Sequence, residues 1–218
     1  MKNTIITAAL AIAAFTTQAQ DMKPVLEKTF LAFDTTMDMN TKVEQANKLS
    51  LIAKKWDNEW ASHYYVAYSK TQLSYMEKDN AKREAYLDEA EKEKEDAVAI
   101  LKKENDETYV LAAMIANARM AIDPMNRWQK YGQLFSQNLE SAKEVNAENP
   151  RMYYLTAVSK FFTPKQFGGG KKAAMPYFEK AQGLFEKESA LNKDITNPHW
   201  GKDKNAYFIE QCKKEDKE

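Results

Sequence analysis

Glycine, proline and cysteine are all scarce in this sequence of 218 residues. Six glycines and six prolines leave few of the residues that punctuate sheets and tight hairpins, and three of the glycines are consecutive. The single cysteine, Cys212, excludes an intrachain disulfide, and we interpret it as an inert helix residue near the C-terminus. Ala, Lys, Glu, Leu and Met are plentiful, so the composition favours an all-α fold.

A surplus of charge of either sign is also missing. The 32 basic side chains balance 32 acidic ones, which gives a formal net charge of zero. Because phosphate binding needs a basic surface, nucleic acid is a poor candidate partner. Hydrophobic residues make up 44% of the chain, enough to bury a sizeable core.

Groups that carry catalysis or hold metals are sparse too. The only histidines, His63 and His199, are far apart and lack the ligand spacing of a zinc site. We interpret both as ordinary packed or surface residues and expect no metal and no cofactor. The chain has no G-x-S-x-G motif, and the acidic run EKEKED at 91–96 is expected to be a solvated helix face. These observations predict a protein that is not an enzyme, with hydrolysis kept as a third hypothesis.

The first twenty residues have the features of a secretory signal peptide. Lys2 provides a positive start, residues 5–15 form a short apolar stretch, and Thr17 and Ala19 give a small-x-small cleavage site. The apolar stretch is too short to span a bilayer, and no cysteine stands at the cleavage site to carry a lipid. We therefore predict a signal peptide at 1–20 and an exported domain at 21–218. That domain would be periplasmic or secreted, not a lipoprotein, and without a membrane span.

The exported part has helical periodicity almost throughout. Between Thr41 and Trp56, for example, Val43, Ala46 and Ala53 share one stripe at helical spacing. Proline dipeptides that leave or start a helix separate such stretches. They are Asp123-Pro124, Asn149-Pro150, Thr163-Pro164 and Asn197-Pro198. The pattern predicts about nine helices, no strand and no interdomain linker.

The helices also repeat. Each unit has an aromatic anchor on one helix, followed on the next helix by two residues seven apart, most of them alanine. The anchors are Phe30, Tyr64, Tyr109 and Tyr153, and the following pairs are Ala46 and Ala53, Ala90 and Ala97, Phe135 and Ala142, and Ala174 and Ala181. Small residues let two helices cross closely, so the spacing predicts antiparallel helix pairs stacked on one another. An irregular helical bundle with coincidental alanine spacing is the alternative.

The fourth unit resembles a tetratricopeptide repeat. Residues 149–153 open its first helix, and Ala174, Phe178 and Ala181 reproduce the Ala–Phe–Ala spacing of that repeat's second helix. The other units match in part and vary in length, so the chain resembles degenerate repeats. The phrases TPKQFGGG (163–170) and PHWG (198–201) are similar to those of short exported tetratricopeptide proteins of Gram-negative bacteria. The resemblance implies a right-handed α-solenoid, and it implies no defined activity.

The first helix of each unit in such a solenoid lines a concave groove. The residue after each anchor, and those one and two turns further on, would face the groove or else pack between helices. They are Tyr65, Gln72, Val110, Asn117, Tyr154 and Phe161. The main hypothesis is that this groove binds another protein or a peptide. The alternative is a carrier that holds a small ligand in a pocket enclosed by the solenoid.

The C-terminal part of the sequence has two further features, a glycine run and a charged last helix. The glycine run Gly168-Gly169-Gly170 before Lys171 is interpreted either as an elbow between two helices or as an anion site at a helix start. A last helix around Trp200 to Lys213 is strongly charged, and we expect it to cap the solenoid with a wet outer face.

Overall fold

The computed structural model describes residues 21–191 and 194–214, and within these ranges the chain is all-α. The predicted signal peptide at 1–20 lies outside the described residues. The helices are α1 Met22–Thr35, α2 Met39–Lys55, α3 Trp60–Met76, α4 Asn80–Leu101, α5 Asp106–Met120, α6 Pro124–Val145, α7 Pro150–Phe162, α8 Lys171–Leu191 and α9 Lys202–Lys213. A single 3-10 turn, Lys165–Phe167, joins α7 to α8. This confirms the prediction of about nine helices and no strand for the part of the chain that is described. Within it, every helix falls short of the length and apolarity needed to cross a membrane.

Side-chain caps explain where most helices begin. The carboxylates of Asp38 and Asp79 accept hydrogen bonds from backbone N–H groups in the first turns of α2 and α4. Asp123 and Asn149 do the same for α6 and α7, each followed by a proline at the first helical position. Two of the four proline dipeptides therefore mark helix starts, as predicted.

The helices pack as consecutive pairs, and the pairs stack. Packing is most extensive between α3 and α4, α5 and α6, and α7 and α8, and the first helices α1, α3, α5 and α7 contact one another in succession. The alanines that the sequence pairs seven apart are fully buried or nearly so. This confirms a solenoid-like stack of helix pairs, whereas its handedness and the tetratricopeptide assignment stay predictions.

The glycine run forms an elbow between α7 and α8. The N–H groups of Gly168, Gly169 and Gly170 donate to the backbone oxygens of Lys165, Pro164 and Lys160 respectively. A Cβ on Gly169 would lie 2.1 Å from the Thr163 carbonyl oxygen, so the turn requires glycine there. Since these N–H groups are already used, the geometry supports the elbow over the anion site.

The C-terminal segment, residues 194–214, does more than cap the last helix pair. Its helix α9 packs on α8, as expected for a cap. Trp200, however, comes before α9, is 3% exposed, and reaches α3 in the second helix pair. Gly201 makes this turn possible, with φ at 107° and the Phe185 ring only 2.9 Å from where a Cβ would be. The predicted cap therefore also contacts the side of the stack that the first helices of the pairs form.

Candidate functional site

The helices α1, α3, α5 and α7 form the side of the stack that the sequence predicts to be concave, and we call it the concave face. Its two ends differ. We call the part covered by Trp200 and Lys204 of the C-terminal segment the filled end. We call the part around the C-terminal turns of α3, α5 and α7 the open end. The difference between them decides where a ligand can bind.

At the filled end, the C-terminal segment is held by polar contacts to α1 and α3. Trp200 Nε1 donates to the Tyr64 hydroxyl at 2.7 Å, and the Trp200 ring lies 4.8 Å from that of Tyr68. Lys204 Nζ lies 2.5 Å from Asp34 Oδ1 and 2.8 Å from the Tyr68 hydroxyl. These contacts, with that of the Trp200 ring to Tyr154, cover part of the side on which the sequence predicts a groove for a partner.

A buried network beneath the filled end joins α3, α5, α7 and α8. Arg151 Nε donates to Glu107 Oε1 at 2.7 Å, and the same guanidinium forms a fork with Glu188 at 3.0 and 2.5 Å. Glu107 also accepts from the Tyr64 hydroxyl at 2.8 Å and from Asn149 Nδ2 at 2.6 Å. Buried charges are tolerated when each has such partners, so this network fixes the relative positions of three helix pairs.

The open end exposes aromatic and apolar side chains instead. Phe162 is 69% exposed, Tyr207 60% and Tyr75 41%. The Phe208 ring lies 5.2 Å from Phe161 and 6.0 Å from Phe162, so α9 and α7 form one continuous aromatic surface. Large exposed apolar surfaces on a folded protein commonly mark sites of interaction.

Polar groups lie at the C-terminal turns of α3 and α5, at the same end of the stack. The Tyr75 hydroxyl points inward, at 3.3 Å from the Met114 carbonyl oxygen and 3.2 Å from Asn117 Oδ1. Burial of that hydroxyl raises the pKa of Tyr75 well above its ordinary value, so the phenol stays protonated. Arg83 donates to the Ser74 carbonyl oxygen and to Asn80 Oδ1, and among the described residues no carboxylate forms a salt bridge with it.

The residues predicted to line the groove lie in two different environments, the open end and the interior between the helices. Gln72, Asn117 and Phe161 are half-buried at the open end. Tyr65 and Val110 are fully buried between helices, and Tyr154 is 8% exposed, with its ring against Trp200 and Phe208. Their roles in binding stay predictions.

Several residues of the open end were not predicted from the sequence. Tyr75 lies one turn beyond Gln72 on the same helix, and Phe162 directly follows Phe161, so extending the helical spacing by one step would have found both. Tyr207 and Phe208 belong to α9, and no local pattern places that helix against α7.

Outside the concave face, a cleft of about 300 Å³ lies between α4, α5 and α6. Its central cation, Arg119, already contacts Glu84, Asp88 and Glu91 at 2.7 to 2.8 Å. Because this central cation is already paired with three carboxylates, the cleft offers an anionic ligand less than the open end does.

One of three comparisons with known proteins found a similar protein. Neither a scan of protein-family models nor a search of curated proteins found a match. Among solved structures, the HusA haemophore from Porphyromonas gingivalis is similar, with a TM-score of 0.75 and 31% sequence identity. The match covers 90% of this chain and 94% of that chain. This chain belongs to the family of that haemophore. Family membership rests on likeness over nearly the whole length and leaves the tetratricopeptide resemblance as a resemblance.

Proposed function

We propose that this protein is an exported, non-enzymatic carrier that binds haem, or a closely related tetrapyrrole, at the open end of its concave face. The observation that carries the proposal is the 31% identity with a haemophore across 94% of that protein's chain. Of the hypotheses drawn from the sequence, this corresponds to the small-ligand carrier. Export rests on the predicted signal peptide at 1–20.

The open end suits the chemistry of a tetrapyrrole ring. Such a ring is flat and largely apolar, and it gains most from surfaces that cover its faces. Phe162 and Tyr207 present exposed rings, with Phe161 and Phe208 half-buried behind them. Offset-stacked or edge-to-face contacts with such rings add to the gain from apolar burial.

A tetrapyrrole such as haem also carries two carboxylates, and the border of the open end supplies a cation for one of them. Arg83 sits beside Ser74 and close enough to Tyr75 for its charge to act on that hydroxyl. A guanidinium binds a carboxylate through two parallel hydrogen bonds, which fixes orientation as well as charge. Arg83 would therefore orient the ligand's polar edge towards α3 and α4.

Binding at this surface depends on the ring rather than on iron. The Tyr75 hydroxyl is turned inward and protonated, which makes it a poor iron ligand, and Tyr207 is assigned here to stacking through its ring. We therefore expect metal-free protoporphyrin to bind within about tenfold of the affinity for haem, a difference of about 1.4 kcal/mol.

The peptide-binding hypothesis has less support. A peptide lying along the concave face would have to displace Trp200 from Tyr64 and Lys204 from Asp34. Removing these groups would cost the buried Tyr64 hydroxyl one of its two hydrogen bonds and the Asp34 carboxylate its ion pair, which costs free energy. The filled end therefore favours a small ligand over an extended peptide.

The test is a titration of the ligand-free mature protein with haemin, followed by the Soret absorbance. We expect one haem per chain. The double variant Phe162→Ala with Tyr207→Ala should bind at least about tenfold more weakly, because it removes two stacking surfaces. The matched control is Trp128→Ala, which removes an equally exposed aromatic, 60%, from α6.

Two results would contradict the proposal. One is the lack of any Soret change at micromolar haemin. The other is an equal loss of affinity in the Trp128→Ala control, which would mean non-specific adsorption to exposed rings. Native mass spectrometry of the protein from its own exported fraction checks the scaffold hypothesis, which predicts a bound second chain instead of a small mass.

A further inference from the structure

The acidic run at 91–96 is only partly a solvated helix face. Glu93 and Asp96 are three residues apart on α4 and share the side that packs on α3. His63 of α3 lies opposite them and is 8% exposed. One ligand atom from each of these three side chains lies within 4.8 Å of the other two.

The His63 ring is oriented by a backbone carbonyl. Its Nε2 lies 3.2 Å from the Asp57 carbonyl oxygen and its Nδ1 lies 2.7 Å from Glu93 Oε2. A carbonyl oxygen only accepts, so Nε2 carries a hydrogen and Nδ1 is directed towards the carboxylates. Histidines that bind metals through one nitrogen commonly donate from the other to a backbone carbonyl or carboxylate in this way.

The lone pairs of His63 Nδ1 and of the two carboxylates lie close together, so they repel one another unless a proton or a metal ion lies between them. A proton on Nδ1 can join the ring to one carboxylate, and Glu93 takes that position. Asp96 is then a second carboxylate, whose other contact is an ion pair with Lys92 at 2.6 Å. Since Lys92 is 71% exposed, that pair stabilises little and does not fix Asp96 away from the ring.

We propose that His63, Glu93 and Asp96 form a binding site for a first-row divalent transition metal such as Zn²⁺. One imidazole nitrogen and two carboxylate oxygens suit such ions, whereas Mg²⁺ and Ca²⁺ prefer oxygen ligands alone. Bonds of about 2.0–2.2 Å separate neighbouring ligand atoms by roughly 3.4 Å. The His63–Glu93 contact must widen slightly and Asp96 must turn inward, both within the reach of side-chain rotation.

The site is open to solvent on the α4 side. The side chain of Glu93 is 22% exposed and that of Asp96 is 40% exposed, so an ion enters there and water completes its coordination. Bound metal would cross-link α3 to α4. It would therefore stabilise the folded chain by an amount that rises with the logarithm of the free metal concentration once this exceeds the dissociation constant.

The test is isothermal titration of the mature, haem-free protein with Zn²⁺, with Mg²⁺ as the comparison ion. We expect one Zn²⁺ per chain, no Mg²⁺ binding, and a Zn²⁺-dependent rise in the thermal midpoint. Replacing a residue that only hydrogen-bonds to a metal ligand already lowers metal affinity by about 10- to 100-fold. Replacing the ligand itself, in His63→Gln, should therefore weaken binding by at least about 100-fold. Glu93→Gln is the second variant and should weaken it by at least about tenfold.

The chain offers matched controls. His199→Gln removes the only other histidine, Cys212→Ser the only cysteine, and Glu95→Gln an exposed neighbour in the same acidic run. All three should bind Zn²⁺ within about twofold of the unchanged protein, a difference of less than about 0.5 kcal/mol. Circular dichroism checks that each variant is folded.

The proposal is overturned if the unchanged protein binds no Zn²⁺ at up to millimolar concentration. It is also overturned if a folded Glu93→Gln or His63→Gln protein keeps full affinity. Because the assay contains no tetrapyrrole, its result does not depend on the proposed haem binding.

Discussion

The two ends of the concave face use the same helices in opposite ways. At the filled end, Trp200 and Lys204 of the C-terminal segment meet hydroxyl and carboxylate partners on α1 and α3, and the network around Arg151 lies beneath them. At the open end, Phe162 and Tyr207 are left in solvent. Paired polar groups favour a closed surface and unpaired rings favour a ligand, so one end would contribute mainly to stability and the other mainly to binding.

The largest expected effect comes from the network beneath the filled end. Arg151→Ala leaves Glu107 and Glu188 without their shared cation in a buried site. We expect the free energy of unfolding to fall by about 3–5 kcal/mol, measured by urea denaturation. The control is Lys187→Ala, which breaks an exposed pair with Glu148 and should change stability by less than about 1 kcal/mol. Equal effects of the two changes would refute the assigned importance of the buried network.

A smaller effect separates stability from binding. Trp200→Phe removes the hydrogen bond to Tyr64 and part of the buried ring, so we expect a loss of about 1–3 kcal/mol. Haem affinity should stay within about twofold, under about 0.5 kcal/mol, because the change lies at the filled end. A marked loss of haem binding in a variant that remains folded would mean that the two ends are not separate.

The smallest effect concerns the tie between the C-terminal segment and α1. Lys23 Nζ lies 2.7 Å from Asp194 Oδ2, and hydrogen bonds from Lys23 and Thr196 lower the pKa of Asp194 to about 2. A lowered pKa stabilises the folded state above the ordinary value of 3.8, and this contribution is lost as the pH falls towards 2. Asp194→Asn should therefore make stability less dependent on pH between about 4 and 2, as followed by thermal unfolding. An unchanged pH profile would show that the contacts of the Asp194 carboxylate do not contribute to the stability of the folded state.

Much of the fold could be predicted because its signals are local. Caps such as Asp79 and Asn149, and buried alanines such as Ala90 and Ala97, act within one helix or between neighbours in the chain. Helical spacing alone also placed Gln72, Asn117 and Phe161 on one side of the first helices, and their roles in binding stay predictions.

The closure of the concave face had no such signal. Trp200 bonds Tyr64 across 136 positions of sequence, and no periodicity links two segments so far apart. His63 and Glu93 likewise meet only because α3 and α4 pack closely, so the sequence treats both as ordinary surface or core residues.

The sequence by itself therefore determined the helices, their pairing and the predicted export, since propensity, capping and apolar spacing act over a few residues. Only the tertiary structure decided which part of the concave face is covered. That outcome depends on whether distant side chains can satisfy one another's hydrogen bonds and charges when buried. At the filled end they do, and at the open end the aromatic rings remain exposed.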